Sequence, residues 1–266
     1  MVDTVSLSTN HNNLNACIEL ALEYGLGIEL MTFAFPDVLD GDWEDLVLLY
    51  QKLLAPIEGV LSLHGPFMDM VSGSPDALIN QVCIGRYQHA IRIASQLGAD
   101  RIVFHANFIG SIHNPEYRIG WHQRNLDFWG PLAEYARRYD VTITLENMWE
   151  FDPDIIGDIL REIDHPNLKA CLDVGHAYLF SNDNVELDEW FNVLQPWLIH
   201  THMNNNNGVL DEHHAFDWQY GVLDYNDILP KLRALPQPPV FVLEMYEVED
   251  MRRSLPFLEL EKRPST

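Results

Sequence analysis

The chain has 266 residues, with 16 Lys and Arg against 40 Asp and Glu, a formal net charge of −24. A surface that acidic repels phosphate backbones and anionic lipid, so neither nucleic acid nor a membrane surface is expected as a partner. Its 47% hydrophobic and 21% charged residues are a globular composition, and α/β barrels of about 250 residues form single domains. Cys17, Cys83 and Cys171 are widely spaced, with no CxxC pair. They give no disulfide framework and no cysteine zinc site. Reduced thiols, no signal peptide at residues 1–10 and no apolar run long enough to span a membrane make a cytoplasmic protein the expectation.

Short β-branched runs alternate with helical stretches along the whole chain. The first strand is expected at Val2 to Leu7, followed by a helical stripe through Leu14, Cys17, Ile18, Ala21 and Leu22 that Gly25 closes. Leu26 to Leu30 reads as the second strand, Trp43 to Leu54 as a helix and Gly59 to His64 as the third strand. Ser74 and Pro75 read as the cap and first residue of a long helix ending at Leu97 and Gly98. Further strands are expected at Arg101 to His105, Val141 to Glu146, Leu168 to Asp173, Trp197 to His202 and Pro239 to Glu244. Helices fit at about 117–139, 153–163, 185–195, 224–234 and 247–260. Eight such alternations imply parallel pairing and one closed (β/α)8 barrel over residues 1–266. An open doubly wound sheet loses support, because no GxGxxG follows the first strand.

Barrels of this kind place their chemistry where strands run into the following loops. Six consecutive strands end in carboxylates or imidazoles: His64, His105, Glu146, Asp173 with His176 just beyond, His200 with His202, and Glu244. The loop after the seventh strand adds Asp211 and His213. Any one of these reads most simply as a hydrogen-bonded structural group. Together they are different, since converging carboxylates repel and need a cation. Mixed carboxylate and imidazole donors suit Zn2+, Mn2+, Fe2+ or Co2+ better than Ca2+. His200 and His202 point the same way along their strand. His202 is nearer the rim and is the favoured ligand, with His200 as support or core. His214 faces away from His213. His11, His89, His113, His122 and His165 fall in loops or helices and read as solvated or capping.

The chain resembles the xylose isomerase-like TIM barrels: sugar isomerases and epimerases, inosose dehydratases and endonuclease IV. The resemblance rests on YGLGIEL at 24–30, LHGPF at 63–67, FHAN at 104–107, LEN at 145–147, CLDVGHAY at 171–178 and HTHMNN at 200–205. DEHHAFDWQYGVLDYNDIL at 211–229 and VLEM at 242–245 complete the order. The resemblance implies a metal held by Glu146, Asp173, His202 and Glu244. In ketose 3-epimerases the two glutamates also move protons beside the carbonyl while the metal stabilises an enediolate. His176 matches a position that contacts substrate there and binds a second metal in endonuclease IV. The trinuclear zinc cluster of endonuclease IV would use those five residues with His64, His105, Asp211 and His213.

The resemblance therefore implies a metal-dependent isomerase or epimerase of a small sugar or polyol, with no organic cofactor and with room for homo-oligomers. Its rivals are an endonuclease IV-like phosphodiesterase and an inosose dehydratase-like lyase. The acidic balance disfavours the nuclease, and no basic cluster exceeds Arg137–Arg138 or Arg252–Arg253. Lys52, Lys169, Lys231 and Lys262 all avoid the expected active rim, which disfavours a Schiff-base aldolase and a true xylose isomerase. No GxxxxGK[ST] or GxSxG occurs. Phe33, Phe35, Phe67, Phe108, Trp149 and Trp218 follow strands, and flat aromatic faces suit sugars. Among these Phe67 and Trp149, with Asn107, are substrate-binding candidates. Asn147, Asn204 and Asn205 sit beside the ligands as hydroxyl-binding candidates. Glu29 is a candidate to orient a bound water or a His. No cation lies near 204–207, which favours an unphosphorylated substrate.

Overall fold

The computed structural model describes residues 2–260; Met1 and 261–266, including Lys262, lie outside the description. The chain opens with β1 (Val5–Thr9), α1 (Leu14–Tyr24), β2 (Gly27–Leu30), α2 (Pro36–Leu39) and α3 (Trp43–Leu54). It continues with β3 (Leu61–His64), α4 (Ala77–Leu97), β4 (Arg101–His105), α5 (Pro115–Arg137) and β5 (Thr142–Glu146). Then come α6 (Asp154–Ile163), β6 (Leu168–Asp173), α7 (Val174–Phe180), α8 (Leu187–Leu194) and β7 (Leu198–Met203). The last elements are α9 (Tyr225–Arg233), β8 (Val240–Leu243) and α10 (Val248–Ser254). Each strand pairs in parallel with the next, and β1 pairs with β8 through Val5–Phe241 and Leu7–Leu243. The sheet is thus the expected closed eight-stranded barrel in one domain.

Local signals explain most boundaries. Gly25, at φ 71°, takes the left-handed turn that ends α1. Asn114 caps α5 by accepting from the Tyr117 amide, and Pro115 fills the first turn, where no amide donor is needed. Other boundaries differ from expectation. β1 starts three residues later and runs two further, because Ser8 and Thr9 are buried strand residues, not turn residues. The cap of α4 is Asp76, whose carboxylate accepts from the Leu78 amide; Ser74 instead braces Asp76 through its hydroxyl. β6 runs directly into the unexpected α7, and α10 stops at Ser254 before a 3-10 turn at Leu255–Phe257.

Strand side chains alternate between two environments. Leu7, Ile28, Leu63, Phe104, Leu145 and Leu172 are buried in the apolar core. Tyr87, Phe104 and Trp129 mark that layer where α4, β4 and α5 meet, with Tyr87 4.2 Å from Phe104 and 5.6 Å from Trp129 by ring centroids. Most of the intervening positions face the barrel axis and are polar, with Val103 and Val242 among the exceptions. Glu29 on β2 reaches His200 and His202 on β7, and Arg101 on β4 donates to the Ile199 carbonyl. Barrel interiors are more often filled with Val, Ile and Leu; this one is largely built from hydrogen-bonding groups.

The interior leaves no slack at Gly27. A Cβ there would lie 2.1 Å from the Val60 carbonyl oxygen and 2.3 Å from Ser6 Oγ. Gly27→Ala therefore forces strand β2 away from its neighbours. The expected cost is about 3 kcal/mol, a fall in Tm of roughly 6–12 °C in a domain of this size, read by thermal or urea unfolding. An unchanged Tm would contradict the packing described.

Candidate metal centre

Parallel closure brings the C-terminal ends of all eight strands to one rim. There the loops enclose a cavity of about 530 Å3. Four consecutive strands each supply one donor at its base: Glu146 from β5 and Glu244 one residue past β8 line the cavity, and Asp173 from β6 and His202 from β7 lie buried behind them. One ligand atom from each lies within 4.8 Å of all the others. Asp173 and His202 are fully buried, and Glu146 nearly so. His202 Nδ1 is 2.8 Å from Glu146 Oε1 and 3.4 Å from Glu244 Oε2.

The backbone fixes these groups. Asp173 ends β6 and caps α7, accepting from the His176 amide at 2.6 Å. Asn147 exchanges two hydrogen bonds with the Asp173 backbone, at 2.8 and 2.9 Å. What remains unsatisfied is informative. Glu146 Oε2 and Glu244 Oε2 are buried without a directed hydrogen bond. Glu146 Oε2 is nevertheless 3.1 Å from His105 Nε2 and 3.4 Å from His64 Nε2. Buried carboxylate oxygens without donors are costly. Three carboxylates and an imidazole converging in this way are a donor set that fits a divalent transition-metal ion.

The electrostatics match. Burial pushes Asp173 up to about 6, with Glu244 and Glu146 adding to it and His176 opposing. Burial also works against the Glu146 anion, but His202 and His105 outweigh it and hold its carboxyl well below the usual range. For His202 burial disfavours the cation, and the facing carboxylates of Glu146, Glu244 and Glu29 prevail, raising it well above an ordinary histidine.

Two further groups adjoin the quartet. In each of the triads His64, His105, Glu146 and His176, Asp211, His213, one ligand atom per residue lies within 4.8 Å of the others. His176 Nε2 is 3.3 Å from Asp211 Oδ2, and His213 Nε2 is 3.4 Å from Asp211 Oδ1. Burial opposes the His213 cation, but Asp211 and Glu244 raise it to about 9. The structure thus brings together every metal-site candidate named from the strand ends.

The other candidates divide. Phe67, Asn107, Trp149 and Phe35 line the cavity. Phe33 and Phe108 are wholly buried, and Trp218 stacks on His214, so none of these three meets the cavity. Asn205 is structural: its side chain donates to the Phe216 and Leu223 carbonyls and accepts from the Leu223 amide. Asn147 is likewise spent on the Asp173 backbone, and Asn204 lies buried with its amide 3.4 Å from Asp173 Oδ2. Sequence reading missed the wall formed by Ser8, Thr9, Asn10 and Asn13, because it ended β1 too early. It also missed Met31, Met68, Met148, Met245 and Tyr246, which no polar pattern marks. Among the described residues, no Lys or Arg lines the cavity. No helix of the described residues is long and apolar enough to cross a membrane.

Comparison with known proteins shows the family. Protein MJ1311 of Methanocaldococcus jannaschii is 27% identical over 203 residues, covering 74% of this chain and 68% of that protein. The TTHB071 protein of Thermus thermophilus, solved after soaking with ZnCl2, superposes with a TM-score of 0.79 at 28% identity over 96% of both chains. A D-tagatose 3-epimerase-like protein superposes with a TM-score of 0.77 at 23% identity over 94% of both, a likeness of fold. The xylose isomerase-like TIM barrel family model matches residues 18–260. The chain belongs to the xylose isomerase-like TIM barrel family.

Proposed function

We propose that the chain is a metal-dependent isomerase or epimerase of a sugar or polyol that transfers protons at the carbon beside a carbonyl. The observation that carries this reading is the pair Glu146 and Glu244. They stand three strands apart, both reach the cavity floor, and each keeps a buried oxygen without a hydrogen bond. A divalent ion held by Glu146, Asp173, His202 and Glu244 would supply Lewis acidity toward the substrate carbonyl. One glutamate removes the proton from carbon and the other returns it from the opposite face. His202 and His105 keep Glu146 ionised for this work. His176, Asp211 and His213 present polar atoms to substrate hydroxyls, and Phe67 and Trp149 cover the C–H face. The absence of Lys and Arg from the described lining favours an uncharged, unphosphorylated substrate. The solved neighbour soaked with ZnCl2 supports the metal assignment. Three buried free thiols accord with a cytoplasmic setting.

A second reading has its own observation. The two further ligand groups beside the quartet make room for more than one ion, as a phosphodiesterase resembling endonuclease IV would need. The net charge of −24 opposes a polyanionic substrate. Metal analysis separates the two. One ion per chain is expected for the isomerase, and two or three ions with nicking of abasic DNA would reverse the ranking.

Two outcomes test the main reading. Ketoses incubated with the metal-loaded protein in D2O should take up deuterium beside the carbonyl. Glu146→Gln and Glu244→Gln should each lower that exchange by about 100-fold or more; exchange undiminished in both removes the proton-transfer roles. Metal affinity should also depend on pH. Asp173, at about 6, and the raised His202 must lose protons to bind a cation. Affinity should therefore rise from pH 5 to pH 8, by roughly tenfold per unit for each proton displaced. Calorimetry in buffers of different ionisation heat would show the released protons, and a pH-independent affinity would exclude these ligands.

A further inference from the structure

Glu29 belongs to none of the strands that supply the quartet, yet it is wholly buried on the barrel axis beneath it. Its Oε1 accepts from His202 Nε2 at 2.8 Å. Its Oε2 accepts from Ser62 Oγ at 2.8 Å and from His200 Nε2 at 2.7 Å. The Thr9 hydroxyl donates to its carbonyl at 3.0 Å. The neighbouring strands β1 and β3, with β7 across the axis, therefore hold this residue still.

His202 has two ring nitrogens and two tasks. With Nε2–H committed to Glu29, the ring can turn only Nδ1 toward Glu146 and Glu244. The tautomer and the ring angle are then set from below, the usual work of a carboxylate behind a metal-binding histidine. His200 has no partner for Nδ1, so its one side-chain bond in the interior is the one to Glu29. Ligand atoms of Glu29, His200 and His202 also lie within 4.8 Å of one another. A separate ion there is disfavoured, since both Glu29 oxygens are already bonded at 2.7–2.8 Å and all three residues are sealed from solvent.

We propose that Glu29 is a positioning residue: it holds His202 with Nε2 protonated and Nδ1 aimed at the divalent ion of the quartet. This rests on the metal reading above and adds a residue that touches neither the ion nor the substrate. The probe is Zn2+ alone, without substrate. Removing such a partner costs about 10–100-fold in metal affinity. Glu29→Ala should lose affinity on that scale, whereas Glu29→Gln, which keeps an acceptor for Nε2–H, should fall much less. Ser62→Ala, which loosens Glu29 without touching His202, should fall least. A purely structural role would lower the Tm of each variant and leave the Zn2+ affinity of the folded protein unmoved.

Nitrogen-detected imidazole spectra of the Zn2+-loaded wild type give a readout that needs no variant to fold. His202 should carry its proton on Nε2 and bind through Nδ1. A proton on Nδ1 overturns the proposal, as does a folded Glu29→Ala protein with wild-type affinity. If the wild type binds Zn2+ but Glu29→Ala binds it equally, the role of Glu29 falls alone. If the wild type takes up no Zn2+, the metal reading falls and this role with it.

Discussion

Three carboxylates, Glu29, Glu146 and Asp173, are almost wholly removed from solvent within one barrel interior. In a medium of low polarity their repulsion and desolvation oppose folding unless positive charge or strong donors answer them. The interior is arranged around that demand. Glu29 is met by two imidazoles and a hydroxyl, and Glu146 by imidazoles on three sides. Asp173 receives a helix amide. The quartet is where the answers run short: one oxygen each of Glu146 and Glu244 has imidazoles nearby but no directed hydrogen bond, and Asp173 is left with a raised affinity for a proton. A binding site for a cation is thus what an incomplete internal balance leaves behind.

This arrangement also separates two uses of acidity. The wider excess of acids lies largely outside the barrel interior and biases the protein against polyanions. Of the interior acids, Glu29 is fully matched by donors, and those of the quartet are matched only in part. A cavity floored with carboxylates and imidazoles, walled by methionine and aromatic side chains and free of Lys and Arg among the described residues, is suited to a neutral polar molecule.

The fold was legible because strand and helix periods alternate cleanly, and because parallel strands must all end at the same rim. His64, His105, Glu146 and Asp173 stand at strand ends in the sequence and in the structure alike. The wall from Ser8 to Asn13 was not legible, since a serine facing a polar barrel axis has the same hydropathy as a serine in a turn. α7 was hidden because Asp173 serves at once as strand end, helix cap and member of the quartet, leaving no loop to mark a boundary. Asn205 looked available for ligand because three of its bonds go to residues 11 and 18 positions away. Glu29 was noticed, but its partners lie 33, 171 and 173 residues along the chain. Spacing carries no trace of such contacts.

The seam between β1 and β8 has a kinetic consequence. Val5 and Phe241 must meet before the barrel exists, and the last member of the quartet, Glu244, lies just beyond that seam. Contacts so distant in sequence form late, after the entropy of closing the whole chain has been overcome. No fragment lacking β8 can hold all four donors. An ion held by the quartet therefore cannot template the early steps of folding. It adds to the finished barrel alone, where such late stabilisation slows unfolding and leaves the folding rate almost unchanged.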